Sequence, residues 1–291
     1  LIEFCGIELA HPVINGSGCF DALAARQIFG DALLEHFPFA AYVSKTVTLA
    51  PRAGNPAPRL WETAGGMLNS IGLPNPGIER YLEEHLPIYA ELGVPLITNV
   101  MGSSEAEFAE LVAAVAGREE VAAIELNVSC PNVATGLDIG ADPAGVRSLL
   151  DVLRPLTHKP LIVKLTPNTA DVALCALAAE AGGADAVSLI NTLRAMALPP
   201  AEPARPWLGG GTGGLSGPAI RAVALAQVWS VARRISIPVI GMGGVARGSD
   251  AAALLEAGAR LVAVGTESFR DPAAGSRIAA ELATKFAENA A

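Results

Sequence analysis

The chain has few cysteines, little positive charge and no long apolar run, and each shortage closes off a class of function. Its four cysteines (Cys5, Cys19, Cys130 and Cys175) lie far apart, with no CxxC pair. That excludes a disulfide framework, and a zinc or iron–sulfur site built by this chain alone. The four histidines (His11, His36, His85 and His158) are scattered without metal spacing. Twenty Lys and Arg stand against 29 Asp and Glu, a net charge of −9 without a basic stripe, which argues against a nucleic-acid surface. No apolar run approaches the roughly 20 residues that span a bilayer. The opening Leu-Ile-Glu-Phe lacks the basic and apolar regions of a signal peptide, so a cytoplasmic protein is expected. A few residues are expected to precede Leu1, which stands where Met would begin a chain.

What the sequence has is apolar material in short, regular portions. It is 51% hydrophobic and 17% charged over 291 residues, enough for one large core. Strands are expected at 13–15, 41–46, 96–100, 123–128, 161–166, 186–191, 238–241 and 261–265. Helical patterns at 21–29, 78–92, 104–116, 143–153, 171–181, 219–235, 250–257 and 273–287 alternate with them. Ser104 with Glu107 forms a capping box, and Pro143 suits a first helical turn. Gly93, Gly182 and Gly258 fall where a helix end wants a left-handed residue.

Eight strand–helix units predict a closed (β/α)₈ TIM barrel spanning 1–291 as one domain, with an open doubly wound sheet as the rival. Strand ends decide between them. Asn15, Lys45, Asn99, Asn127, Lys164, Asn191, Gly243 and Thr266 end the runs, and only a barrel gathers all of them at one mouth. Three connections, 49–77, 131–142 and 193–217, are too long for turns and all follow strands, so they are expected as lid insertions over that mouth. Residues 3–9 read as a small hairpin plugging the opposite end.

Pro238–Gly244 and Leu261–Thr266 are glycine-bearing strand ends, which let backbone N–H groups approach an anion. In barrels the loops after strands seven and eight commonly hold a phosphate, so a mononucleotide is expected there. The rival is a dinucleotide fingerprint, Gly241-x-Gly243-x-x-Ala246 with Glu267 about 20 residues on. A second match, Gly209-x-Gly211-x-x-Gly214, follows no strand and reads as a flexible loop.

Asn127-Val128-Ser129-Cys130-Pro131-Asn132 places a lone thiol among amides just past an apolar run. A tuned thiolate can act as a base or nucleophile, and the amides can pair with a planar amide or imide ligand. Taken as Glu125–Asn132, with Asn15–Gly18, Ser44–Thr46, Asn69–Asn75, Val163–Asn168, Ser188–Thr192, Gly213–Pro218 and the two glycine-bearing strand ends, it resembles class 1 dihydroorotate dehydrogenase along nearly the whole chain. The details look most like class 1B.

That resemblance implies an FMN enzyme that oxidises dihydroorotate to orotate in pyrimidine biosynthesis. A hydride leaves for flavin N5 and Cys130 takes a proton as base. Lys164 would stand beside the flavin and stabilise its reduced anion. Lys45, Asn69, Ser70, Ile71, Gly72, Leu73, Asn127, Asn191 and Thr192 would bind substrate, with Asn132 a further candidate. Ser17, Gly18, Lys45, Thr46, Asn99, Asn127, Lys164, Ile190 and Gly217 would line FMN. Gly243, Gly244, Gly265 and Thr266 would hold its phosphate.

The resemblance also implies a homodimer, within a heterotetramer whose second chain carries FAD and a [2Fe–2S] cluster and passes electrons to NAD. The alternatives are a fumarate-linked class 1A enzyme and a dihydropyrimidine dehydrogenase-like subunit; a non-catalytic phosphate-binding barrel is the rival of another class. Cys5, Cys19, Cys175, Trp61, Trp207 and Trp229 read as packing groups. The lid residues 133–142 and the glycine-rich 205–214 depart from the class 1B pattern.

Overall fold

Several apolar runs of this sequence stop at or just before glycine or proline, as at Gly16, Gly102, Pro167 and Gly265. The computed structural model describes residues 1–128, 139–199 and 204–290. Strands β1 (Ile2–Phe4) and β2 (Ile7–Leu9) form the expected hairpin. Then come β3 (Val13–Asn15), β4 (Tyr42–Val43), β5 (Leu60–Thr63), β6 (Gly66–Asn69), β7 (Leu96–Val100) and β8 (Val121–Asn127). The series ends with β9 (Leu161–Lys164), β10 (Ala186–Leu189), β11 (Leu193–Ala195), β12 (Gly213–Ser216), β13 (Val239–Met242) and β14 (Leu261–Val264). Eight of them lie side by side in the order β3-β14-β13-β10-β9-β8-β7-β4, all parallel. They are the eight runs the sequence predicts, and with the surrounding helices they make the (β/α)₈ barrel.

The helices are α1 (Ala22–Phe29), α2 (Ala32–Glu35), α3 (Ile78–Arg80), α4 (Leu86–Ala90), α5 (Glu105–Ala116), α6 (Pro143–Leu153), α7 (Val172–Ala181), α8 (Arg221–Ala232), α9 (Gly248–Glu256) and α10 (Ala274–Ala290). Carboxylates start several: Asp21, Asp142 and Asp171 each accept from backbone N–H groups of the first turn. The predicted helix over 78–92 is interrupted by a π turn at Tyr81–His85. Pro87 lacks an N–H and its ring crowds the carbonyl four residues back, so the helix widens there.

Two end signals land differently from expectation. Ser104 caps Glu107 N, but the Glu107 carboxylate reaches Ser103 N at 2.8 Å rather than closing the box. Gly93 and Gly258 take left-handed backbone, whereas at the end of α7 it is Gly183 (φ +86°) and not Gly182. Gly182 answers to packing instead, since a Cβ there would sit 2.7 Å from Leu150 Cβ on α6.

The seam of the barrel lies between β3 and β4. Ala40 N donates to Val13 O at 3.0 Å, and above it the Asn15 side chain substitutes for a peptide. Its Oδ1 accepts from Val43 N and its Nδ2 donates to Val43 O, each at 2.8 Å. Asn15 therefore closes the barrel rather than serving the mouth, which corrects its place among the chemistry-bearing strand ends. Asn15→Ala is expected to lower stability by about 2–5 kcal/mol, because both Val43 groups lose their partner in a dry seam. Denaturant titration of the purified protein checks this, and a midpoint equal to wild type would refute it.

Inside the barrel the period-two pleat sorts the side chains. Ile97, Ala123, Ile162 and Ala186 pack with Phe4 and Leu9 of the hairpin, which plugs the lower end. Two residues further up the same strands stand Asn99, Glu125, Lys164 and Ser188, all buried. The interior turns from apolar to polar in one step of the pleat.

Two of the three long connections pair with one another. β11, β12, β6 and β5 form an antiparallel sheet beside the mouth, with Gly214 opposite Asn69 and Leu215 opposite Leu68. The flexible-loop reading of 209–214 is corrected here. Gly213 and Gly214 lie in β12, and added Cβ atoms at Gly209, Gly213 and Gly214 would collide with Pro56 O, Asn69 O and Thr192 Oγ1. The glycines are there for close approach. Trp61 and Trp207 pack at 5.1 Å between ring centroids, and Trp207 Nε1 donates to Leu60 O. Trp229 departs from its packing role: it is exposed, with Arg233 over its ring at 4.6 Å.

Candidate active site

Strand ends are where the barrel leaves backbone and side chains free for chemistry, and here they meet. Lys164 ends β9, beside Asn127 on β8 and Ser188 on β10 in ladder register. Asn127 Nδ2 donates to Thr46 Oγ1 at 3.4 Å, and Asn191 Nδ2 donates to Asn127 Oδ1 at 3.4 Å. Asn191 Oδ1 in turn accepts from Thr192 N at 2.8 Å. Ser17 Oγ donates to Ser44 O at 2.8 Å and lies 3.5 Å from Thr46 Oγ1. Lys45 is half-buried, its Cγ 3.8 Å from where a Gly18 Cβ would be. Thus the loops after β3, β4, β8 and β10 are joined by one chain of polar contacts.

Two groups in this ring are left wanting a partner. Lys164 is 7% exposed, and no hydrogen bond or ion pair among the described residues reaches its ammonium. A buried cation is costly unless it is directly paired and hydrogen-bonded. Asn99 is fully buried. Its Nδ2 donates to Glu125 Oε2 at 2.5 Å, and its Oδ1 accepts from nothing among the described residues. Both features fit a ligand with an anionic edge and a hydrogen-bond donor.

The strand-seven and strand-eight ends form a third part. Gly243 (φ +133°) and Gly244 (φ +71°) turn the chain after β13. A Cβ on Gly243 would lie 3.3 Å from Ile190 Cγ1, and one on Gly244 would lie 2.9 Å from Gly217 O. Thr266 follows Gly265 and donates to Ser216 Oγ at 2.9 Å. These are the residues the sequence assigns to a phosphate. The dinucleotide alternative loses its parts: Asp250 already accepts from Ala246 N and Arg247 N, and Glu267 is paired with Arg277 at 3.1 Å.

The lid adds Asn69, whose Nδ2 donates to Gly214 O at 3.3 Å, with Thr192 packed against the same glycine. Ser70 Oγ accepts from Asn55 at 3.0 Å. Gly72 and Leu73 both hold left-handed backbone, at φ +75° and +53°, and a Cβ on Gly72 would collide with Asn55. Leu73 keeps that conformation without glycine's freedom, a local strain of the kind found in ligand loops.

Cys130 and Asn132 lie outside the described residues. The other thiols are poor bases. Burial, then Asp185 and Glu3, pushes Cys5 up to about 12, at the plugged end. Burial raises Cys19 against the pull of Lys164 and Lys45, and Cys175 is buried in α7.

Residues 1–286 match the family model described as dihydroorotate dehydrogenase. The chain belongs to that family. It is 46% identical over 282 residues to the dihydroorotate dehydrogenase B (NAD(+)) catalytic subunit of Citrifermentans bemidjiense, covering 97% of this chain and 91% of that one. It is 44% identical over 292 residues to the subunit of the same name from Geobacter sulfurreducens, covering 99% and 93%. With that of Trichlorobacter lovleyi it shares 44% over 291 residues, again 99% and 93%.

Within this dihydroorotate dehydrogenase barrel, several residues escaped assignment from sequence. Glu125 and Ser188 complete the inner polar layer, and Asn168 holds Thr192 O at 3.0 Å and Arg194 N at 2.9 Å. The signal was there for two of them. Counting by twos down each strand from Lys164 or Asn127 puts Glu125 and Ser188 on the inner face. Among the described residues no helix is long and apolar enough to cross a membrane, and no cluster could hold a metal.

Proposed function

We propose that this chain is the FMN-dependent catalytic subunit of an NAD-linked dihydroorotate dehydrogenase, oxidising (S)-dihydroorotate to orotate in pyrimidine biosynthesis. Given the family, the observation that carries the reading is Lys164, a buried cation with no hydrogen bond or ion pair among the described residues, beside the Asn127–Asn191 amides. The orphaned Asn99 oxygen and the glycine turns at Gly243, Gly244 and Gly265 also suit a flavin mononucleotide. FMN, when bound, supplies the hydride acceptor.

The chain's own residues do the rest. Lys164 offsets negative charge at the cofactor edge, and Lys45 faces the substrate carboxylate. Asn69, Asn127, Asn191 and Thr192, with the backbone of Ser70 to Leu73, hold the planar ring through its amide edges. Ser17, Gly18, Thr46, Asn99, Ile190 and Gly217 line the cofactor, and Gly243, Gly244, Gly265 and Thr266 take its phosphate. Cys130 removes the C5 proton. The lid sheet excludes water, which strengthens each of these contacts. Residues 1–291 act as one domain. The relatives' designation as catalytic subunits supports a partner chain, which in this reading carries FAD and a [2Fe–2S] cluster, around a homodimer of the barrel.

Anaerobic mixing of the purified protein with dihydroorotate is the test. Loss of the oxidised flavin's visible band is the expected result. Bleaching by dihydrouracil instead would move the substrate to the uracil class, and a protein that takes up no FMN would end the reading.

A further inference from the structure

Asn99 has one amide and two ends to offer, and Glu125 claims one of them. The Glu125 carboxylate is 2% exposed on β8, inside the barrel and one pleat below Asn127. Its Oε2 accepts from Asn99 Nδ2 at 2.5 Å and its Oε1 from Ser188 Oγ at 2.7 Å. A carboxylate can only accept, so the nitrogen of Asn99 must face it. The oxygen is then the group left for anything else, and it has no partner among the described residues. Ser188 fixes the other carboxylate oxygen, which stops the group from rotating away.

We infer that Glu125 is a positioning residue: it sets the Asn99 amide with its oxygen available as an acceptor for a donor of the bound flavin. The inference rests on the FMN reading above. Without the carboxylate the amide can turn over and present its NH₂, and two donors then oppose each other at the cofactor. Charge-assisted hydrogen bonds are the stronger kind, so the orientation is firmly held. The carboxylate also adds negative charge to the barrel interior below the cofactor, and a role through charge alone is the competing account.

A double-mutant cycle on FMN binding separates the two. The flavin-free protein is titrated with FMN and the dissociation constant read from quenching of flavin fluorescence. The variants are Glu125→Met, Glu125→Gln, Asn99→Ala and the Glu125→Met/Asn99→Ala pair. Glu125→Met is expected to weaken FMN by about 10- to 50-fold, one hydrogen bond to a well-placed acceptor. Glu125→Gln keeps an acceptor for Asn99 and is expected to recover to within about fivefold of wild type. On top of Asn99→Ala, Glu125→Met is expected to add less than about threefold, because its effect passes through that amide.

Fully additive losses would overturn the inference in favour of charge, as would a folded Glu125→Met that binds FMN like wild type. If Glu125→Met does not fold, Glu125→Gln alone decides: FMN binding within about fivefold of wild type upholds the inference, and a loss of tenfold or more on removal of the charge overturns it. Wild-type protein that binds no FMN at all would instead count against the cofactor reading, a result distinct from either.

Discussion

Cys130→Ala is expected to leave FMN bound while slowing its reduction by dihydroorotate about 10²–10⁴-fold, the usual worth of a positioned base. The thiol lies outside the described residues, so the argument comes from its neighbours. Asn127 stands in the polar ring of the mouth, and three residues of chain reach at most roughly 10 Å. Gly140 N donates to Val128 O at 2.8 Å, so the described chain on the far side of Cys130 also meets the top of β8. Among the described thiols, Cys5 and Cys19 are pushed up by burial, and only Cys19 is near the mouth. Rapid-mixing absorbance under anaerobic conditions measures the rate. An unchanged rate would remove Cys130 from the chemistry, and loss of FMN together with the rate would make its role structural.

Lys164→Met should split stability from function. In the flavin-free protein the change removes a buried ammonium that has no partner among the described residues and puts a flexible apolar chain of similar length in its place. The apo fold is therefore expected to gain about 1–3 kcal/mol. Reduction of bound FMN by dihydroorotate is expected to fall by roughly 10²–10³-fold if, as proposed, Lys164 supplies the charge that stabilises the reduced cofactor. Denaturant titration of the apo protein and rapid mixing of the holo protein read the two effects. A less stable apo variant would mean that Lys164 is satisfied by the protein itself, and the cofactor assignment would lose its main support.

The architecture was open to reading because the barrel strands are short, apolar and cleanly stopped. Ala186–Leu189 and Leu261–Val264 can only be buried strands, and Asp142 before Pro143 can hardly be other than a helix start. What periodicity could not convey was side-chain destination across long separations. Asn15 looked like one more strand-end amide, yet its partner is Val43, 28 residues away across the seam. The pairing of β6 with β12 joins residues some 145 apart, such as Asn69 and Gly214, and nothing local announces it. Gly209 to Gly214 read as slack because glycine permits freedom as readily as it permits contact. Only the facing atoms distinguish the two. At the site, residue types gave the polar ring, but Glu125 in mid-strand carried no assigned role until Asn99 and Ser188 were seen on either side of it.

The shared sheet beside the mouth also bears on how this enzyme can be altered. Its four strands come from two insertions, one after β4 and one after β10, and the β6–β12 ladder binds them into a single unit. A lid graft from a relative must therefore bring both insertions. A hybrid carrying one donor insertion would set unmatched side chains against Leu68, Leu215, Trp61 and Trp207. Substrate range at this mouth is a property inherited in pairs, and libraries that diversify one insertion alone sample mostly broken sheets.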